Sequence, residues 1–290
     1  MESRLQFPAD ARPWLFLGLT LGVTWLFGFV AVAIQGAVPR GVVLALAYGG
    51  VLSPLLVAGV LVYLNHGRAY RRDFWQRLTD VRRIGLLWAL VIVFLPPAKS
   101  GLAALLDVVL GGPGIALEEA VRLVAQPLLI VPTLVFWLLF GPVPEEPGWR
   151  GYATDGLQAR YSAVAASLIV GVVWMLWHIP LFFIAGTWQA EHLGFGTQLF
   201  WLWAMAVVIE SILYTWITNN TGRSILAAIL FHFVGNAFGQ LFALSHRAEV
   251  YGQLLSIPIV LFVVAVWGAA TLTRGETATP LRAPSSSDGR

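Results

Sequence analysis

Pro13–Ile34 is an apolar run with no charged residue. As a helix it can cross the roughly 30 Å hydrocarbon core of a bilayer, which takes about 20 residues. Similar runs recur at 41–64, 84–110, 123–140, 163–185, 198–217, 224–244 and 251–273. In hydrocarbon every backbone N–H and C=O must be bonded within the protein, so such runs fold as helices. The expected fold class is therefore all-α, a polytopic membrane protein with about eight transmembrane helices. Composition agrees: only 11% of the residues are charged, against about 25% in soluble domains. The first run is too long for a signal-peptide core and lacks a small-residue cleavage site, so it reads as a retained span.

The runs are not uniform. The third is expected to be irregular at Pro96-Pro97 and holds Lys99, the chain's single lysine, read as snorkelling or capping near that break. The fourth is expected to break at Pro132. The chain reads as one membrane-embedded helical domain over 1–274, followed by a Pro-, Ser- and Gly-rich tail at 275–290 expected to be disordered. The net charge of +3 could suggest nucleic acid. However, the cations concentrate in the loop at 66–83, with Arg68, Arg71, Arg72, Arg77, Arg82 and Arg83 against Asp73 and Asp80. That clustering marks a cytoplasmic loop rather than a nucleic-acid surface. An even number of spans puts both termini on the side of this loop, giving an integral membrane protein, read as one of the cell membrane, with both ends cytoplasmic. There is no cysteine, which excludes disulfides, thiolate metal sites and a cysteine nucleophile.

Ionisable groups within spans are expensive, about 2.5–3.5 kcal/mol at helix centre, and so mark candidate sites. The densest group is GPVPEEPGWRGY at 141–152, read as the start of a helix from about Glu145 to Arg160. Glu146 and Arg150 stand i,i+4 and can pair on one face, which leaves Glu145 pointing elsewhere. The structural reading is an acidic helix start beside the macrodipole. His178 follows the aromatic run WMLW, and its structural reading is an interfacial histidine in an aromatic belt. His232 and Asn236 share one face of the seventh run, beside Gly235 and Gly239, which allow close helix approach; their structural reading is interhelical hydrogen bonding. Glu210 reads as a structural partner for an arginine or histidine on a neighbouring helix. His66, His192 and His246 fall in loops and carry no signal. Taken together, a carboxylate, two histidines and an asparagine can activate water and stabilise an oxyanion. Glu145, His178 and His232 could alternatively hold a divalent metal such as zinc, with a position left for water. Neither H-E-x-x-H nor G-x-S-x-G occurs in the chain, so zincin and serine-elbow mechanisms have no support.

Three stretches also resemble a known family. Glu145-Glu146-x-x-x-Arg150-Gly151-Tyr152, WMLWHIPLFF and TNNTGRSILAAILFHFVGN are similar to the three motifs of the CPBP (Abi) family of intramembrane proteases, which includes the type II CAAX prenyl endopeptidases. Trp174 stands where the family's second motif usually has Phe. The resemblance covers about 140–240 and places a CPBP-like core at about 123–244. It implies transmembrane helices enclosing a conical cavity open to the cytoplasm, and an endopeptidase acting on membrane-associated protein or peptide substrates. Glu145 would be the general base with His178 assisting. His232 and Asn236 would form the oxyanion site or complete a metal site, and Glu146 and Arg150 would be the supporting pair.

Two other functions fit the same residues. A non-catalytic scaffold or bacteriocin-immunity protein would keep the fold without turnover. A proton-coupled transporter would use the buried acids and histidines as a relay.

Overall fold

The computed structural model describes residues 11–274. The expected tail at 275–290 lies outside the described residues. The helices are α1 (Pro13–Ile34), α2 (Arg40–Val51), α3 (Ser53–Asn65), α4 (Arg68–Thr79), α5 (Leu86–Val109), α6 (Glu118–Ala125), α7 (Ile130–Leu139), α8 (Pro142–Gly148), α9 (Asp155–Gln158), α10 (Ala163–Trp177), α11 (Gln198–Asn220), α12 (Ile225–Leu241) and α13 (His246–Trp267). A π-helical turn, Trp149–Thr154, joins α8 to α9. The short strands β1 (Ile115–Ala116) and β2 (Ala243–Leu244) pair antiparallel. Among the described residues 7 helical segments are long and apolar enough to cross a membrane, and α12 is a shorter apolar helix beside them. The protein is thus an all-α polytopic membrane protein. Its outward faces carry apolar side chains such as Leu64, Leu86, Val109 and Leu128, as a lipid-facing surface requires.

Local chemistry explains the breaks. α2 and α3 form one crossing interrupted at Leu52. Pro54 has no N–H for the Gly50 carbonyl four residues back. The Thr24 hydroxyl of α1 donates to that oxygen instead, at 3.0 Å. The fourth run differs from expectation. Pro132 sits in the first turn of α7, where a missing N–H costs little, and the chain bends at Gly141 (φ −136°, ψ −101°). Pro96 and Pro97 likewise lie inside a continuous α5. The Glu145 helix begins at Pro142, and the chain is buried from Pro144 through Leu157.

Close backbone packing sets the rotation of α10 against α11. A Cβ added to Gly171 would lie 2.5 Å from the Val208 carbonyl oxygen and 2.9 Å from its Cα. Small residues permit such contacts between membrane helices. Gly171→Ala should therefore force the two helices apart and lower stability by about 1–3 kcal/mol, the usual cost of overpacking. Thermal unfolding of the detergent-solubilised variant checks this, and an unchanged midpoint would refute it.

One buried apolar cluster runs from Ala11 to Leu272. Both described chain ends meet the same stretch of chain. The Arg12 N–H donates to the Tyr152 hydroxyl at 3.2 Å, and the Ala163 N–H donates to the Ala270 carbonyl at 2.8 Å. Side-chain amides of Asn219 and Asn220 hold the Thr271 and Leu272 carbonyls at 2.8 and 2.7 Å. The basic helix α4 is fixed there too, through Arg77 to Asp155 at 2.6 Å. The described ends and the basic segment thus share one end of the bundle.

Candidate active site

The polar residues gather around Trp174 on α10. Its indole N–H donates to Glu145 Oε2 at 2.5 Å. Its ring lies 5.5 Å from the His232 ring and 4.3 Å from the Arg150 guanidinium carbon. Its carbonyl accepts from His178 Nδ1 at 2.8 Å. The sequence reading gave Trp174 no role beyond its aromatic character. What it could not supply is that one tryptophan on α10 bridges α8, α12 and the π-turn.

Glu146 is fully buried and serves two partners. Arg150 Nη1 lies 3.2 Å from Oε2, the expected i,i+4 pair. His232 Nδ1 lies 2.7 Å from Oε1. The second contact, across 86 residues, had no sequence signal. It fixes the imidazole as carboxylate–histidine pairs do in metal and hydrolytic sites. Because Nδ1 donates to the carboxylate, Nε2 is the atom presented to a reactant. Arg150 is further enclosed by the Trp174 and Tyr214 rings, at 4.3 and 4.1 Å, and its Nη2 lies 3.5 Å from the Ser211 hydroxyl. Arginine stacks on aromatic faces well because its guanidinium is planar and weakly hydrated. Arg150 stands on the π-turn, a feature frequent at functional sites.

A carbonyl can only accept, so His178 donates through Nδ1 and a neutral ring leaves Nε2 as the acceptor. The ring is held edge-on by Trp177 and Trp203, at 4.7 and 5.3 Å between centroids. Glu145 is 4% exposed. Its Oε1 takes no hydrogen bond among the described residues, which leaves that oxygen for a water or substrate. Asn236, one turn beyond His232, is exposed and makes no side-chain hydrogen bond among the described residues. A Cβ on Gly141 would stand 3.2 Å from its Nδ2, so the bend before Glu145 borders the asparagine amide. Glu145, His178 and His232 are thus linked through Trp174, with no direct hydrogen bond among the three. Among the described residues no three His, Asp or Glu side chains converge as a metal ion would require. The possible triad Glu145, His178 and His232 therefore does not fit a metal as it stands. Two cavities open at the turn between α1 and α2, the larger about 620 Å³ and lined by Gln35, Arg40 and Glu191 among others. Neither is lined by a residue of the Glu145 cluster.

Glu210 and Lys99 lie apart from this cluster. Lys99 Nζ pairs with Glu210 Oε1, and the Ser256 hydroxyl donates to the same oxygen. Glu210 is held in an ion pair by a neighbouring helix, but its partner is Lys99 rather than the expected arginine or histidine. The reading of Lys99 as snorkelling or capping is corrected. Continuity of α5 through Pro96-Pro97 keeps Lys99 facing α11 and α13, where the cost of an unpaired intramembrane charge favours an ion pair.

A helical membrane protein with a carboxylate–imidazole cluster sunk among its spans has the architecture of an intramembrane hydrolase. The domain model of type II CAAX prenyl endopeptidases (Rce1-like) matches residues 127–238, a segment that holds Glu145, His178, His232 and Asn236. Over 244 residues the chain is 30% identical to CAAX prenyl protease 2 of Methanococcus maripaludis, covering 82% of this chain and 88% of that protein. The chain belongs to the Rce1-like family of type II CAAX prenyl endopeptidases.

Proposed function

We propose that the protein hydrolyses a peptide bond in a membrane-associated protein, using water activated by Glu145. A CAAX-type, C-terminally lipidated substrate is the class suggested by the name of the Methanococcus relative. The observation that carries the reading is the state of Glu145. It is buried, with one oxygen fixed by the Trp174 N–H and the other not hydrogen-bonded. A carboxylate so placed can take a proton from water as the resulting hydroxide attacks the scissile carbonyl carbon. The same proton then passes to the leaving amide nitrogen as the C–N bond breaks. His178 Nε2 can hold the attacking water. The Asn236 amide, and His232 through Nε2–H when protonated, donate to the oxyanion of the tetrahedral adduct. Glu146 holds His232 and Arg150 for this task and does not touch substrate. No step here requires a metal. The positive-inside pattern supports a cytoplasmic position for the shared end of the bundle, with both described chain ends and α4.

The decisive experiment is cleavage by Glu145→Gln, with membrane peptides compared between cells carrying wild-type protein and cells carrying the variant. Products that persist in the variant refute the reading. A second variant tests the positioning of the base. Trp174→Phe keeps a ring over Arg150 and removes the N–H donated to Glu145. Turnover is expected to fall about tenfold, toward the lower end for loss of a hydrogen bond to a charged group, with the unfolding temperature little changed. An unchanged rate would mean that this hydrogen bond has no part in catalysis.

A further inference from the structure

The basic segment does more than mark a side of the membrane, because the fold divides its arginines into two sets. One set is partnered: Arg77 and Arg83 turn inward, Arg71 turns to the Tyr63 carbonyl and ring, and Arg82 pairs at the surface. Arg77 is 1% exposed and holds Asp155, Asp73 and the Gly151 carbonyl. Arg83 reaches Asp73 at 3.1 Å and the Gly222 carbonyl at 2.7 Å. Asp80 is taken by Arg82 at 2.8 Å. Both acids of the segment are thereby consumed. Arg68 and Arg72 form the other set. They are exposed, stand i,i+4 on the outward face of α4, and have no acidic partner among the described residues. Trp75 shares that face and is 39% exposed.

The position of α4 restricts what can meet this face. Its first residue follows the membrane-crossing α3 by a short turn. Its last is joined by a single 3-10 turn to α5, whose first residues, Leu86 and Leu87, are 79% and 68% exposed. A short helix strapped between two crossings lies at headgroup depth. Arginines beside an exposed tryptophan, with apolar neighbours on the bilayer side, are the composition of an interfacial lipid-binding helix.

We propose that α4 is a docking face for anionic phospholipid, with Arg68 and Arg72 holding the headgroup phosphate and Trp75 seated at the headgroup–acyl boundary. An acidic soluble protein would also meet the arginines, but the tryptophan and the depth between two crossings favour lipid. Because Arg77 and Phe74 on the opposite face pack against Gly151, the lipid would rest on the helix that braces the π-turn carrying Arg150.

The test uses the full-length protein, purified from bilayers of equimolar phosphatidylcholine and phosphatidylglycerol, with the retained lipid identified by mass spectrometry. Wild-type protein should retain phosphatidylglycerol in excess of its share. Arg68→Gln/Arg72→Gln should reduce that excess several-fold, since each arginine at an anionic surface contributes about fivefold. Arg68→Lys/Arg72→Lys should keep most of it. Arg40→Gln/Arg122→Gln, which removes the same charge from the opposite end, should change nothing. Unchanged enrichment in the Gln pair would assign the arginines to a soluble acidic partner and overturn the proposal. An equal drop in the opposite-end control, or full displacement of the lipid by excess inorganic phosphate, would overturn it as well. Cleavage activity plays no part in the readout, so the outcome is independent of the proposed reaction.

Discussion

Glu145→Gln is expected to leave a folded, inserted protein whose cleavage rate is lower by about a hundred- to ten-thousand-fold, the usual contribution of a general base. Gln has the size and shape of Glu, and its carbonyl oxygen can still accept the Trp174 N–H now held by Oε2. The substitution removes one carboxylate of an adjacent buried pair and leaves no partner group bare. Stability should therefore be unchanged or slightly raised. Rate and stability should separate in this variant, and that separation identifies a base rather than a structural acid. The measurement is turnover of a quenched peptide in detergent or vesicles, beside a thermal unfolding curve of the same preparation. Turnover within a few-fold of wild type would sink the mechanism and move the scaffold reading forward.

Glu146→Ala should behave in the opposite way. Its carboxylate is the shared partner of Arg150 and His232, and both it and the Arg150 side chain are 0% exposed. Removing it strands a guanidinium between the rings of Trp174 and Tyr214 and leaves His232 Nδ1 without its acceptor. Breaking one side of a buried ion pair costs about 3–5 kcal/mol, a large share of the roughly 5–15 kcal/mol that holds a typical protein folded. Both unfolding temperature and turnover should fall. Glu146→Ala/Arg150→Met should regain much of the stability, because no unpaired charge remains, while turnover stays lost because His232 is still unheld. An unfolding midpoint for Glu146→Ala equal to wild type would show that the buried pair contributes nothing to the folded state.

How much of this was readable beforehand follows from the range over which helix periodicity speaks. The spans, the Glu146–Arg150 pair and the common face of His232 and Asn236 all follow from spacing within one helix. Contacts between helices do not. The Glu146–His232 bond depends on how α12 is turned against α8, and the Lys99–Glu210 pair on how α5 is turned against α11. Those rotations are set by close approaches such as Gly171 against Val208, whose partners no local pattern identifies. In sequence Trp174 is only an aromatic residue near a histidine; its indole N–H finds Glu145 through that packing. Prolines misled for a related reason. Pro132 and Pro96-Pro97 looked like breaks by residue type alone. Their effect depends on position in the turn and on what replaces the lost hydrogen bond, as Thr24 does for Gly50.

Both described ends of the chain are tied to the segment around Tyr152–Ala163, one through a tyrosine hydroxyl and the other through backbone N–H groups. The bundle is therefore closed as a ring of contacts although the covalent chain is open. Each end is held to that intervening segment by the same kinds of bond as the turns elsewhere. The order in which the helices are strung is then separable from the arrangement that brings Glu145, His178 and His232 around Trp174. What the site demands is that α8, α10 and α12 remain neighbours, wherever along the ring the chain begins.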